Sequence, residues 1–298
     1  MRRLTFGSIP GLIQQVKKMG IEASIQSQLQ PISLAIPDGL TAQLQSLDSL
    51  SLTPGQLDKQ QQPLNEKAKK LKLNSTTTRK IRGDFQQTIR KQTEQGGLMR
   101  ADESPRPREE VRVDFWYNQF NVNGLQGEQI KLFFSSYEQQ AIRPDVLGKF
   151  EALLGAIVKH PAMLLDLENW HTAPGSSKAK GKFKGLNENS ARELLKLHTL
   201  GVYWGSTQAD IMDLARIFTG WGVPESSAKR RIEDENGFDF EADRQDFEDQ
   251  VFLGHQIKSR GVEEAEEALG ILACHPATAL QISDKLLQSF VADNPPDS

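Results

Sequence analysis

Apolar residues recur at helical spacing along most of this chain. In VRVDFWYNQFNV, Val113, Trp116, Tyr117 and Phe120 fall at i, i+3, i+4 and i+7 and predict a helix with an aromatic buried face, leaving Asp114, Asn118 and Gln119 on other positions. Arg143-Pro144 opens a predicted helix through Val146, Leu147, Phe150, Leu153, Leu154 and Ile157 that ends at His160-Pro161, and Pro161 begins the next one, PAMLLDLEN. Nearer the start, Ser8 and Pro10 precede Leu12, Ile13 and Val16, with Gly20 behind them, in a short amphipathic helix that continues loosely to Leu29. The Gln, Ser, Leu and Pro-rich segment 31–63 reads as a partly ordered surface excursion with a weak helix around Leu40, Leu44 and Leu47. Lys67 to Lys91 reads as a long basic helix over Leu71, Ile81, Phe85 and Ile89, followed by a loop at GGLMRADESPRPRE.

The densest signals lie between Gly185 and Trp221. Asn187 caps a helix with Glu188 in its first turn and Ala191, Leu194, Leu195 and His198 as a core-facing stripe. Arg192 sits one turn after Glu188, and Gly201 stops the helix. A second helix begins at Thr207, where Asp210 completes a box-like cap, and carries Ile211, Leu214, Ala215 and Phe218 before Gly220 ends it and Trp221 folds back. An antiparallel helix pair is expected.

GSSKAKGKFKG has the composition of an exposed connection, and 224–250 is strongly charged around FDF, with a short hairpin expected there. Glu263 to Ala273 is helical, and His275-Pro276 introduces a last helix with Leu280, Ile282, Leu286, Leu287 and Phe290. LGAIVKHPA (154–162) and LGILACHPA (269–277) repeat one pattern, each the corner of a helix hairpin. A histidine at the negative end of one helix and a proline in the first turn of the next explain both corners as caps.

The expected fold is therefore all-α: an irregular multi-helix domain of helix hairpins, with at most a short β-hairpin near 236–254. Residues 1–110 form an N-terminal helical region and 111–298 a core helical region, packed together as one domain. At 298 residues a sizeable core is possible, and a net charge of −3 argues against a surface built for nucleic acid. The basic run 67–91 has no aromatic or glycine pattern for base stacking, so it reads as a solvated helix face. A single cysteine, Cys274, excludes an intramolecular disulfide framework, and its apolar neighbourhood predicts a buried, inert thiol. No apolar run approaches the roughly 18 residues of a membrane span. MRRLTFGSIP carries no apolar h-region, so no signal peptide is read there, and the compartment is left open.

RRLTFG, DFWYNQFNV, IRPDVLGKF, KHPAML, GLNENSARELLKLHTLGV, TQADIMDLARIFTGW, FLG, HPATA and KLLQSFVAD occur in this order across nearly the whole chain. Together they resemble the bacterial family known as domain of unknown function 1800. The resemblance implies a predominantly helical protein, often exported to the periplasm or cell envelope, whose gene commonly neighbours one for a secreted sulfatase-like protein. It supplies no catalytic residue. It also implies a histidine where this chain has Gln119 and another where it has Gln245, and imidazole binds metals and moves protons as a carboxamide does not. If the two positions belong to one site, this copy has lost or altered it. Because family members continue through further helices beyond FVADNPPDS, the chain is expected to be a fragment or truncated member.

Candidate catalytic residues are Glu188, Glu193, His198 and Arg192. Candidate binding residues are Asn187, Asn189, Thr207, Gln208, Trp221 and Asn118, most of them at helix ends where free backbone groups can receive a ligand. Trp116, Trp170, Trp204 and Trp221 could supply a stacking wall, although burial is the commoner fate of tryptophan. On a regular helix Glu193 and His198 lie about 140° apart and cannot converge on one ion, so Glu193 is expected to pair with Lys196 or with an arginine such as Arg216. No metal or cofactor is predicted; His160, His198 and His275 are the histidines to examine as ligands. The leading expectation is a partner or scaffold for an exported sulfatase-like protein. The alternative is a cell-envelope hydrolase or metal-dependent enzyme using His198 with Glu188 or Glu193.

Overall fold

The Asn74 side chain accepts the Thr77 amide at 2.8 Å and so starts the longest described helix, which then runs for 29 residues. The computed structural model describes residues 3–7, 11–125, 127, 129–174, 185–203, 205–224 and 235–295. Trp204, the charged run 225–234 and all of GSSKAKGKFKG except Gly185 lie outside them. The described helices are α1 (Leu12–Met19), α2 (Ile21–Leu29), α3 (Asp38–Gln45), α4 (Pro54–Lys70), α5 (Ser75–Glu103), α6 (Pro107–Gln119), α7 (Phe134–Ser136), α8 (Phe150–Lys159), α9 (Pro161–Asp166), α10 (Glu188–Glu193) and α11 (Gln208–Ile217), with α12 (Val262–Cys274) and α13 (Pro276–Phe290) closing the order. The fold is mostly helical, as the apolar periodicity predicts.

The N-terminal third is more ordered than its composition suggests. Segment 31–63 contains α3 and the start of α4, and Leu40 and Leu57 are fully buried. The signal was in TPGQ: Thr53 and Gln56 form a reciprocal capping box, and Pro54 suits the first turn. The basic segment is two helices rather than one. α4 ends at Lys70, Lys72 takes a left-handed φ of 50°, and Leu71 is exposed while Ile89 is buried. The expected loop at GGLMRADE is the end of α5, where Gly96 lets Leu50 approach so closely that a Cβ would meet its Cδ1 at 2.7 Å. The helix expected from Arg143 is broken. Residues Arg143–Asp145 form a 3-10 turn, and α8 starts only at Phe150.

One contiguous hydrophobic cluster includes Leu57 and Ile89 together with residues from Val113 to Ile282. A buried ion network ties its N-terminal side. Arg143 donates to Glu110 on α6 at 2.7 Å and to Glu138 at 2.8 Å, and Arg100 on α5 lies 3.6 Å from Glu138. Burial alone would lower the Arg143 pKa, but Glu138 and Glu110 hold it above the ordinary value.

Two short antiparallel sheets interrupt the helices. β1 (Trp221–Gly222) pairs with β2 (Asp239–Phe240), and β3 (Gln250–Phe252) pairs with β4 (His255–Ile257). The hairpin predicted near 236–254 is the second pair, at 250–257, while the FDF segment pairs back onto Trp221-Gly222.

The helices that lead into the repeated corners pack on each other, with the start of α8 near the end of α12. α8 lies against α12, and Lys159 forms an ion pair with Glu266. His160 Nδ1 accepts the Ala162 amide at 3.2 Å, and His275 Nδ1 accepts the Ala277 amide at 3.1 Å. Each histidine therefore caps the helix that follows it, not the negative end of the one before. Cys274, just ahead of the second corner, is exposed rather than buried, because the α12 stripe of Ala265, Ala268, Leu269 and Leu272 turns it outward.

Candidate functional site

The central motif folds as its caps dictate. Asn187 Oδ1 accepts the Ser190 amide at 3.2 Å, while its Nδ2 donates to the Leu167 carbonyl at 3.0 Å and Ser190 Oγ donates to that same carbonyl. Thr207 and Asp210 form the predicted box, and Asp210 Oδ1 also accepts the Leu253 amide at 3.1 Å, fixing the β3–β4 turn to α11. Gly201 and Gly220 take φ of 88° and 80° where the two helices end, a conformation only glycine enters freely. α10 and α11 pack together. Gln208 Nε2 bridges to Glu188 at 2.6 Å, Arg192 donates to Gln208 Oε1 at 3.2 Å, and Arg192 lies 3.7 Å from Glu188.

After α10 the helix loosens. Leu194–Thr199 is a π-helical turn, supported by Thr199 Oγ1 donating to the Leu194 carbonyl at 2.8 Å. The regular-helix angle between Glu193 and His198 therefore does not apply, yet the two still separate. Glu193 Oε1 accepts from Asn189 at 2.7 Å and pairs with neither Lys196 nor Arg216, which instead lies 3.9 Å from Glu248. His198 turns to the end of α6, stacks on Phe120 with centroids 5.3 Å apart, and places Nδ1 3.3 Å from the Gln119 carbonyl. That oxygen only accepts, so the proton sits on Nδ1, the opposite tautomer from His160.

Gln119, His198 and Lys285 consequently share one corner between α6, the π turn and α13. Lys285 Nζ donates to Gln119 Oε1 at 2.7 Å and to the Leu197 carbonyl at 3.3 Å, and Gln119 Nε2 donates to the same carbonyl at 3.1 Å. Burial pushes the His198 pKa down to about 4, opposed by its hydrogen bond to Gln119 and helped to a lesser extent by the Lys285 charge, and burial lowers that of Lys285. Lys285 opens the KLLQSFVAD segment but was missed as a neighbour of Gln119 because it sits 166 positions away with no spacing to link the two. Asn118, next along α6, is exposed and donates to the Asp114 carbonyl at 2.8 Å.

Gln245 lies elsewhere. It donates to the buried Glu264 and to the Asp246 carbonyl, and its side chain has no hydrogen-bond partner in common with Gln119. Burial first, then Asp246, raises the Glu264 pKa to about 7, while Arg260 and the Gln245 bond oppose the shift. Two further buried side chains went unrecognised in the sequence. Asn169 donates to the Phe218 and Trp221 carbonyls at 3.0 Å, and Arg244 donates to the Trp170 carbonyl at 2.7 Å. Trp221 is wholly buried between Phe218 and Phe238, so it offers no open stacking wall. His160 is buried under Tyr137, and burial lowers its pKa to about 3. Among the described residues no three His, Cys, Asp or Glu side chains are grouped to hold a metal ion, and no helix is long and apolar enough to cross a membrane.

Fold and site together define a predominantly helical protein whose central polar motif is committed to helix caps and interhelical hydrogen bonds. Residues 1–298 match the family model described as protein of unknown function (DUF1800), and the chain belongs to that family. No curated protein and no solved structure matches it.

Proposed function

We propose that the chain is a helical partner or scaffold protein without catalysis of its own, and that its partner is an exported sulfatase-like protein. The observation that carries this reading is an apolar strip beside the π turn. Leu197, Val202 and Tyr203 are 51%, 60% and 94% exposed, and Leu280 on the facing helix is also open to solvent. The strip is continuous with α13, because Gly201 lies against Gln281 and Lys285 reaches the Leu197 carbonyl. Large apolar side chains held in water next to rigid polar anchors are the usual form of a protein-docking face. The nature of the partner rests on the gene neighbourhood that the family resemblance implies.

The alternative hydrolase uses His198 with Glu188 or Glu193. In the structure those three side chains face Phe120, Gln208 and Asn189 respectively, so the partner reading is the stronger. Coexpression with the neighbouring sulfatase-like protein and affinity copurification tests it. Stable copurification, lost on changing Val202→Asp with Tyr203→Asp, is expected. A monodisperse chain that never copurifies would overturn the reading.

A further inference from the structure

A groove of about 720 Å³ runs between α2, α6 and α13. Its volume falls within the range of about 300–1,000 Å³ typical of small-molecule pockets. Ile25 and Leu29 form one wall, Trp116 and Leu147 the floor, and Leu286 and Phe290 the other wall. This apolar surface does not close on itself: Leu29, Leu287 and Val291 stay exposed along it.

Two cations look into this channel. Arg108 and Arg112 stand one helical turn apart on α6, and among the described residues the lining contains no aspartate or glutamate. Arg108 Nη1 makes one long contact, 3.4 Å, to the Ile25 carbonyl. Arg112, half-buried, has neither a hydrogen bond nor an ion pair with any described residue. Burial, then the neighbouring Arg108, lowers its pKa. The other arginines of this region are matched: Arg106 has Glu109 and the Leu34 carbonyl, and Arg143 has Glu110. A guanidinium withdrawn from water beside a second one, at the edge of an apolar channel, is stabilised by an anion, and its planar fork suits a carboxylate.

We propose that this groove binds a single-chain amphiphile with a carboxylate head, a long-chain fatty acid in chemical class, with the head on Arg112 and Arg108 and the tail along the α2–α13 channel. The concavity, with two walls and a floor from separate segments, fits an extended chain better than a flat protein or membrane surface. This proposal is independent of the partner reading: both use α13, but Leu197, Val202, Tyr203 and Leu280 do not line the groove.

Calorimetric titration of the purified chain with palmitate, hexadecanol, inorganic phosphate and phosphatidylglycerol vesicles tests it. Saturable palmitate binding is expected, weakened about tenfold or more by Arg112→Gln, the loss of one charge-assisted hydrogen bond, while hexadecanol binding stays within about twofold. Leu286→Trp should weaken both. If Arg112→Gln changes the far-UV circular dichroism, Arg108→Gln in its place should show the same selective loss. No saturable palmitate binding, equal effects of the arginine changes on palmitate and hexadecanol, phosphate competing as well as palmitate, or binding to vesicles alone would each overturn the proposal.

Discussion

Lys285 Nζ donates to Gln119 Oε1 at 2.7 Å, and this bond fastens the last helix to the end of α6 across 166 positions of sequence. The carboxamide thus occupies a structural place: one end accepts from the lysine and the other donates to the Leu197 carbonyl. Gln119→Ala should destabilise the chain by about 1 kcal/mol, the usual net value of one hydrogen bond and moderated by the partial exposure of Lys285. Urea unfolding followed by circular dichroism measures it. An unchanged midpoint would show that the contact contributes nothing to the docking of α13.

The two His-Pro corners share a cap but differ in burial. His275→Ala should cost about 1 kcal/mol, the loss of a cap, whereas His160→Ala should cost about 3 kcal/mol, because the ring under Tyr137 also leaves a cavity. His275→Asn should be close to neutral, and His160→Asn should recover the cap only. Equal losses at both corners in thermal unfolding would contradict the assignment.

Acid and base act on different groups. His160 and His198 have folded pKa values of about 3 and about 4, below the ordinary 6.5. Their stabilising contribution is full above 6.5 and is lost as pH falls toward these values, because the unfolded chain takes up the protons first. Glu264 has the reverse sign: its folded value of about 7 lies above the ordinary 4.5, so its contribution is full below 4.5 and is lost as pH rises through 7. Glu264→Gln should therefore gain stability relative to the parent between about pH 5 and about pH 8. A constant difference between the two proteins across that interval would refute the shift.

Arg143 is the shared cation of a buried ion network, so removing it alone leaves Glu110 without its cation and Glu138 with Arg100 at 3.6 Å. Arg143→Met should cost about 3–5 kcal/mol, and adding Glu110→Gln with Glu138→Gln should return much of it. A triple variant less stable than the single one would show that the carboxylates are held by other partners.

The local architecture of the central pair was legible because its determinants are local. Asn187, Thr207 with Asp210, Gly201 and Gly220 act within four residues of themselves, and Val113, Trp116 and Phe120 are buried as their spacing requires. Composition misled where a cap decided the matter, as at Thr53-Pro54, and where close packing favoured glycine inside a helix, as at Gly96. The π turn had no sequence signal: its backbone takes an i+5 bonding pattern, while Thr199 Oγ1 donates to both the Leu194 and the Leu195 carbonyl. Neither the meeting of Lys285 with Gln119 nor the outward turn of Cys274 could be read from periodicity, because both depend on how distant helices pack.

The paired corners also bear on the order of assembly. Each is closed by a histidine ring and an amide two residues away, so the chain reversal can form from neighbouring atoms alone. Contact between α8 and α12, by contrast, must wait until more than a hundred intervening residues have been gathered in. Two prefabricated elbows can therefore exist before the core that joins them, leaving the docking of α8 on α12 as a late step in folding.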